Sequence, residues 1–130
     1  MTNASEIRRG DVVLVPFPYV TDVSKAKTRP ALVIQNDIGN RFGSTVIVAL
    51  ISSSVPEKRY PMHYPISYPS PTAKAAGLRT SSVVKMETIV TLPKRAIIRR
   101  LGSLPKAAMD EVDGPLAFSL DLRLASPVRR

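Results

Sequence analysis

Apolar residues arrive along this chain in short, β-branched runs separated by polar, Gly-, Ser- and Pro-rich breaks, a pattern that predicts short strands. Val12-Val13-Leu14-Val15 follows Gly10-Asp11 and reads as a buried strand that Pro16 and Pro18 end. Phe17 to Thr28 is then a polar loop, near the length at which an unstructured connection is usually functional. Pro30 has no N–H for a ladder, so it begins the next strand or lies on an edge, and Ala31 to Gln35 is that strand. Asn36-Asp37-Ile38-Gly39-Asn40 is turn chemistry, since these residues tolerate positive φ and make local side-chain bonds. Thr45 to Ile51 is the strongest strand, apolar on both faces, and Ser52-Ser53-Ser54 ends it.

The second half is punctuated more heavily. Five of the 12 prolines fall between Pro56 and Pro71, which excludes helix there and leaves loop plus an edge strand, best placed at Met62 to Ile66. Ser82 to Met86, Ile89 to Thr91 and Arg99 to Leu101 are further short strands. Met109, Val112, Leu116 and Leu120 recur at helical spacing and predict an amphipathic helix from about Pro105 to Leu120. Pro115 lacks an N–H and crowds the carbonyl of Glu111, so a kink or two short helices are expected at Gly114-Pro115. Short strands with one terminal helix indicate a small, mostly β barrel or sandwich.

Composition sharpens this picture. The 130 residues make a single domain, with a core from about residue 8 to 122 and residues 123–130 read as a frayed end carrying Arg123, Arg129 and Arg130. Apolar residues are 44% of the chain but aromatics only 5%, so the core is aliphatic and no broad stacking platform is available. Nineteen Lys and Arg against ten Asp and Glu give a net charge of +9, which points to a polyanionic or acidic partner. The absence of Cys excludes disulfides, thiol catalysis and Cys-ligated zinc, and the single His63 cannot form a His-rich metal site. The polar stretch from Met1 to Asp11 lacks a signal peptide's apolar core, and no apolar run spans a bilayer, so a cytoplasmic protein is expected.

Candidate chemistry is sparse. No Gly-rich phosphate loop, metal-ligand cluster or nucleophile–His–acid set is recognisable, and Asp110, Glu111 and Asp113 read as a solvated helix face. What remains is Arg29, at the point where the basic loop Lys27-Thr28-Arg29 meets an apolar run, and Ser52 or Ser53 at the end of the strongest strand. Adjacent strands would bring them together. An arginine clamps a phosphate through two parallel N–H bonds, and a hydroxyl beside it bonds the charge that grows on a phosphoryl oxygen. RNA carries its own nucleophile, the 2′-hydroxyl, so such a pair needs no metal. The pattern alone supports equally an Arg29 that merely covers a barrel rim, and it favours a simple turn for Ser52 to Ser54. Lys25 and Lys27 suit either an RNA backbone or solvent, and His63 reads as structural sooner than as a proton shuttle.

In order and spacing, Arg9-Gly10-Asp11-Val12, Thr28 to Asp37, Ser44 to Ala49, Ile51-Ser52-Ser53, Gly77-Leu78, Ser82-Val83-Val84, Ile89-Val90-Thr91 and Met109 to Asp113 resemble the MazF/PemK-type toxins of bacterial type II toxin–antitoxin systems. The resemblance covers about Arg8 to Leu122. It implies a compact SH3-like β-barrel with a C-terminal helix (the MazF/CcdB/Kid-type toxin fold), assembled as a homodimer. It also implies a metal-independent endoribonuclease, without cofactor, that cuts single-stranded RNA to a 2′,3′-cyclic phosphate and a 5′-hydroxyl and so inhibits translation and growth. The catalytic pair falls on Arg29, as acid and charge stabiliser, and Ser52, where relatives carry Thr. RNA contacts fall on Lys25, Lys27, Thr28, Ser53, Glu87 and Thr88. Thr88 and Val90 stand where many members carry Gln and Arg. An acidic, partly disordered antitoxin would lie over the same groove. Two alternatives remain open: a non-catalytic binding toxin of this fold that poisons gyrase, or a degenerate member that only binds antitoxin or RNA.

Overall fold

The structure is a computed structural model and describes residues 6–17 and 27–123. Among the described residues, six strands form one antiparallel sheet: β1 (Asp11–Phe17), β2 (Lys27–Val33), β3 (Thr45–Ser52), β4 (His63–Ile66), β5 (Ser82–Pro93) and β6 (Arg99–Ser103), in the spatial order β4-β5-β3-β2-β1-β6. Helices α1 (Asp37–Phe42), α2 (Pro71–Ala76) and α3 (Lys106–Leu120) fill the connections and the C-terminal end. Two register shifts bend the sheet, one between Val12 and Val13 of β1, where Leu101 of β6 is left without a β1 partner, and one where Met86, Glu87 and Thr88 of β5 have no partner on β3. Such bulges increase local twist. The result is a curled half-barrel of SH3-like, mostly β type with a C-terminal helix.

Period-two alternation sends the apolar runs to both faces. Val12, Leu32, Ala49, Ile51, Val84 and Met86 pack with Ala73 and Ala76 of α2 and Ala108 and Val112 of α3. Val13, Val15, Ala31, Val33, Val46, Val48 and Leu92 form the second cluster, with Ile7. This is why β3 is apolar at nearly every position.

Several boundaries differ from the pattern-based expectation. β1 continues through Pro16, which sits opposite Thr28 beyond the last β6 partner, Leu14↔Arg99. A missing N–H is tolerated where the strand is paired on one side only. Pro30 likewise lies inside β2, before pairing with β3 begins at Ala31, and β2 ends at Val33, short of Gln35. The expected turn from Asn36 is the start of α1: Asn36 caps it by accepting from the Gly39 N–H at 2.8 Å. α2 begins at Pro71 behind a Ser70 cap. The two expected strands around Glu87 are one strand, β5, interrupted only by its bulge. The helix continues through Pro115 as one element, anchored on both sides by buried Ala108, Val112 and Ala117.

A polar knot ties the N-terminal segment to α1. Asp37 Oδ1 accepts from the Arg9 backbone N–H at 2.7 Å and from Asn40 Nδ2 at 3.0 Å, and fully buried Asn40 also bonds Gln35. Lys94 Nζ donates to the Asn40 carbonyl. The Arg9 N–H, then Asn40, hold the Asp37 carboxyl below its ordinary value of 3.8. The folded state therefore binds this proton less readily than the unfolded chain, and the stabilisation is present above pH 3.8 and lost as pH falls through the lowered value. Asp37→Asn is expected to melt below the wild type at neutral pH, with the gap closing in strong acid. Thermal melts across pH 2 to 7, as an approximate window around that value, check this.

The end of α2 packs backbone to backbone on β6. A Cβ added at Gly102 would lie 2.2 Å from the Ala75 carbonyl oxygen, and one at Gly77, in the left-handed region at φ +75°, 2.3 Å from that of Leu101. Gly102→Ala is expected to cost about 1–3 kcal/mol through overpacking against a backbone that cannot yield. Calorimetry should show this as a Tm lowered by several degrees.

Candidate active site

The site grows out of the end of one apolar column. On β2, Val33, Ala31 and Arg29 share a face; on β3, so do Val48, Leu50 and Ser52. The strands pair as Val33↔Val48, Leu32↔Ala49 and Ala31↔Leu50, and Arg29 and Ser52 stand two residues beyond the last of these pairs, each on its own strand. On its other side Arg29 faces Val15 of β1. Buried apolar neighbours thus fix the backbone carrying both polar groups, while Arg29 itself is exposed and Ser52 half-buried.

Arg29 and Ser52 line one cleft of about 650 Å³, together with Phe17, Lys27, Ser53, Ser54, Arg79 and Thr80, over a floor that includes Leu78 and Leu101. No carboxylate or imidazole lines it among the described residues. Nor does any described carboxylate pair with Lys27, Arg29 or Arg79. The Ser52 hydroxyl oxygen accepts from the Ser54 backbone N–H at 3.1 Å. That bond restrains the side chain and leaves the hydroxyl proton free to be donated into the cleft.

The other residues singled out in the sequence divide. Lys27 and Ser53 join the pair in the cleft; Thr28 is exposed on β2 but does not line it. Lys25 lies outside the described residues, as do residues 18–26 of the loop. Glu87 and Thr88 sit on the β5 bulge and line none of this cleft. Glu87 Oε2 is 3.0 Å from His63 Nε2. Burial pushes the Glu87 carboxyl up, but the His63 hydrogen bond and its own backbone pull it below the usual carboxylate range. His63 Nδ1 is buried without a partner and Tyr60 covers the ring edge, 5.2 Å between centroids. His63 is therefore a structural partner of Glu87, away from the cleft. Arg79 and Thr80 were not evident as site residues. Gly77-Leu78 was the only local signal, because Gly77 ends α2 and turns the chain so that Arg79 reaches the cleft.

Among the described residues no group of three or more His, Cys, Asp or Glu is placed to hold a metal ion, and no helix is long and apolar enough to cross a membrane.

Comparison with known proteins identifies the class. Residues 8–120 match the family model of the PemK-like, MazF-like toxins of type II toxin–antitoxin systems, and the chain belongs to that family. Endoribonuclease EndoA of Bacillus subtilis is 38% identical over 116 residues, covering 89% of this chain and 96% of the relative. Endoribonuclease MazF of Staphylococcus epidermidis is also 38% identical over 116 residues, covering 89% and 92%. A chain from the crystal structure of MazE-MazF from Deinococcus radiodurans superposes with a TM-score of 0.67 at 22% identity, covering 90% of this chain and 97% of that one. The protein is a toxin of this class, an enzyme of endoribonuclease type.

Proposed function

We propose that this toxin cleaves single-stranded RNA in the Arg29–Ser52 cleft by using the RNA's own 2′-hydroxyl, with no metal. The observation that carries the reading is that these two side chains line one cleft whose described charges are all positive. The 2′-oxygen bonds to phosphorus, the P–O5′ bond breaks, and the products are a 2′,3′-cyclic phosphate and a 5′-hydroxyl. The 2′-hydroxyl proton leaves to water. Arg29 holds the non-bridging oxygens with its charged guanidinium as phosphorus becomes five-coordinate; in the part of acid that the resemblance gives it, it passes a proton to the departing 5′-oxygen and regains one from water, ending charged as it began. Ser52 donates its hydroxyl proton to the same charge. Lys27, Ser53 and Arg79 hold flanking phosphates and sugars; the resemblance adds Lys25, Thr28, Glu87 and Thr88 as RNA contacts, of which Thr28, Glu87 and Thr88 stand outside this cleft.

The same reading gives the chain two protein partners. An acidic antitoxin would cover the cationic cleft, consistent with the net charge of +9. A second copy would cover apolar side chains left exposed at the end of α3, Phe118, Leu120 and Leu122. The experiment that tests the function is digestion of a long single-stranded RNA in excess EDTA. Discrete cuts that resist the chelator are expected. Intact RNA with the folded dimer, together with inhibited DNA supercoiling, would favour a gyrase-binding toxin instead.

A further inference from the structure

We propose that the nuclease cleft continues into a second RNA-binding groove over α2 and β6, where Lys74 and Arg99 hold the phosphates of the strand flanking the cut and Tyr68 stacks on one of its bases. This rests on the nuclease reading above. The groove opens directly from the cleft: Gly77, Arg79 and Leu101 line both. Lys74, Arg99 and Tyr68 line its far part, and all three are exposed, Tyr68 at 48%.

Three observations make this a track for a polyanion. First, no described carboxylate lines the groove or the cleft, whereas Glu57, Glu6 with Asp37, and Glu6 with Asp11 stand in three other clefts of the molecule. Among the described residues the two joined depressions carry positive charge only. Second, neither Lys74 nor Arg99 is held by an ion pair among the described residues, so both heads are available. Third, the frame is rigid. The near-contact of Gly77 and Gly102 with the facing backbones fixes the end of α2 on β6, and with it the spacing between Lys74 and Arg99. The Tyr68 backbone is pinned as its N–H donates to Ser81 Oγ at 2.9 Å. Cations along a groove, with an aromatic face beside them, are what a single strand requires when it is bound without reading its sequence. A strand cut in the cleft must leave it, and among the described residues this groove is an exit lined by no carboxylate.

The test compares two fluorescent RNAs carrying the mapped cleavage sequence with a 2′-deoxy sugar at the cut: one just long enough to fill the cleft, the other extended on both sides. Wild type, the Lys74→Gln/Arg99→Gln double variant, Tyr68→Ala and Tyr68→Phe are titrated over a range of salt. The double variant should bind the long RNA at least about tenfold more weakly and lower the salt slope by about 1.4, the share of two phosphate contacts on a single strand. Tyr68→Ala should weaken the long RNA roughly tenfold while Tyr68→Phe keeps wild-type affinity. Binding of the short RNA, and cleavage of its all-ribose form, should not change. Equal affinity of wild type and double variant for the long RNA overturns the proposal. So does an equal loss on both RNAs, or a loss confined to an acidic peptide, which would assign the groove to protein. A wild type that binds these RNAs yet cuts neither all-ribose form overturns the nuclease reading alone, and the length-dependent loss still decides the groove.

Discussion

Arg29→Ala is expected to abolish RNA cleavage, lowering the rate by about 10³-fold or more while leaving the fold intact. The magnitude follows from what the residue supplies. Removing one fixed donor to a developing charge typically costs about 10²–10³ in rate, and a charged arginine on a phosphoryl group more. At roughly 1.4 kcal/mol per tenfold, a thousandfold loss is about 4 kcal/mol of transition-state stabilisation. The fold should survive because the Arg29 side chain is exposed and its backbone is held by Val15 and the neighbouring strand, whatever the side chain. Arg29→Lys is the informative companion: it keeps the charge but not the two-pronged donor, so it should fall between wild type and alanine. Single-turnover rates on a defined RNA, with Tm measured in parallel, check the series. Wild-type rates in Arg29→Ala would remove this residue from the chemistry.

The second large effect is at Ser52. Ser52→Ala should slow cleavage by about 10²-fold, the size expected for a neutral hydroxyl donor. Ser52→Thr should retain the activity, because it keeps the hydroxyl and adds a β-methyl that narrows the rotamer choice. In this chain the Ser54 N–H already does part of that work by holding the Ser52 oxygen at 3.1 Å. Where the resemblance implies a Thr, this bond limits the Ser52 rotamer in place of the extra methyl, so serine here is expected to support cleavage. A threonine variant as slow as alanine would show that the hydroxyl does not act in the manner described.

That Arg29 and Ser52 would lie close together was legible because strong local signals bracket both, whereas their role was not: the pattern alone fits a rim arginine equally well and a simple turn better, and the roles come from the resemblance. A basic loop ending in Arg29 runs straight into Ala31-Leu32-Val33, and the apolar run from Val46 ends abruptly at Ser52, so each polar residue marks a strand end. Antiparallel pairing of the two runs then brings them to one place. Arg79 and Thr80 carried no such mark. They reach the cleft only because α2 closes at Gly77 and docks on β6 through Gly102, a contact between segments distant in sequence. The short helices were missed for a related reason. Asn36 and Ser70-Pro71 are good caps, but with only six helical residues behind each there is little periodicity to distinguish a helix from a turn. At the β5 bulge, polar Glu87 and Thr88 interrupt the apolar pattern, and one bent strand reads as two. Pro115 reads as a break because propensity weighs a single lost bond, whereas the buried residues on either side of it hold the helix together.

Arg9 and Asp37 illustrate the opposite case. Both belong to segments that carry the family resemblance, yet their contacts are structural. Arg9 Nε donates to the Ile34 carbonyl at 3.0 Å and its guanidinium reaches Asp113 at 3.3 Å, while Asp37 accepts from the Arg9 backbone. These residues hold the N-terminal segment, α1 and α3 together beside the sheet.

The central claim is that the RNA supplies its own nucleophile. Its most direct test is a single 2′-deoxy substitution on the 5′ side of a mapped cut in an otherwise all-ribose RNA, digested in EDTA. Cleavage at that bond should vanish while other cuts in the same molecule persist, and the cut ends of the unmodified RNA should carry a 2′,3′-cyclic phosphate and a 5′-hydroxyl. Cleavage that continues at the deoxy position would contradict the account and require a nucleophile from the protein or from water.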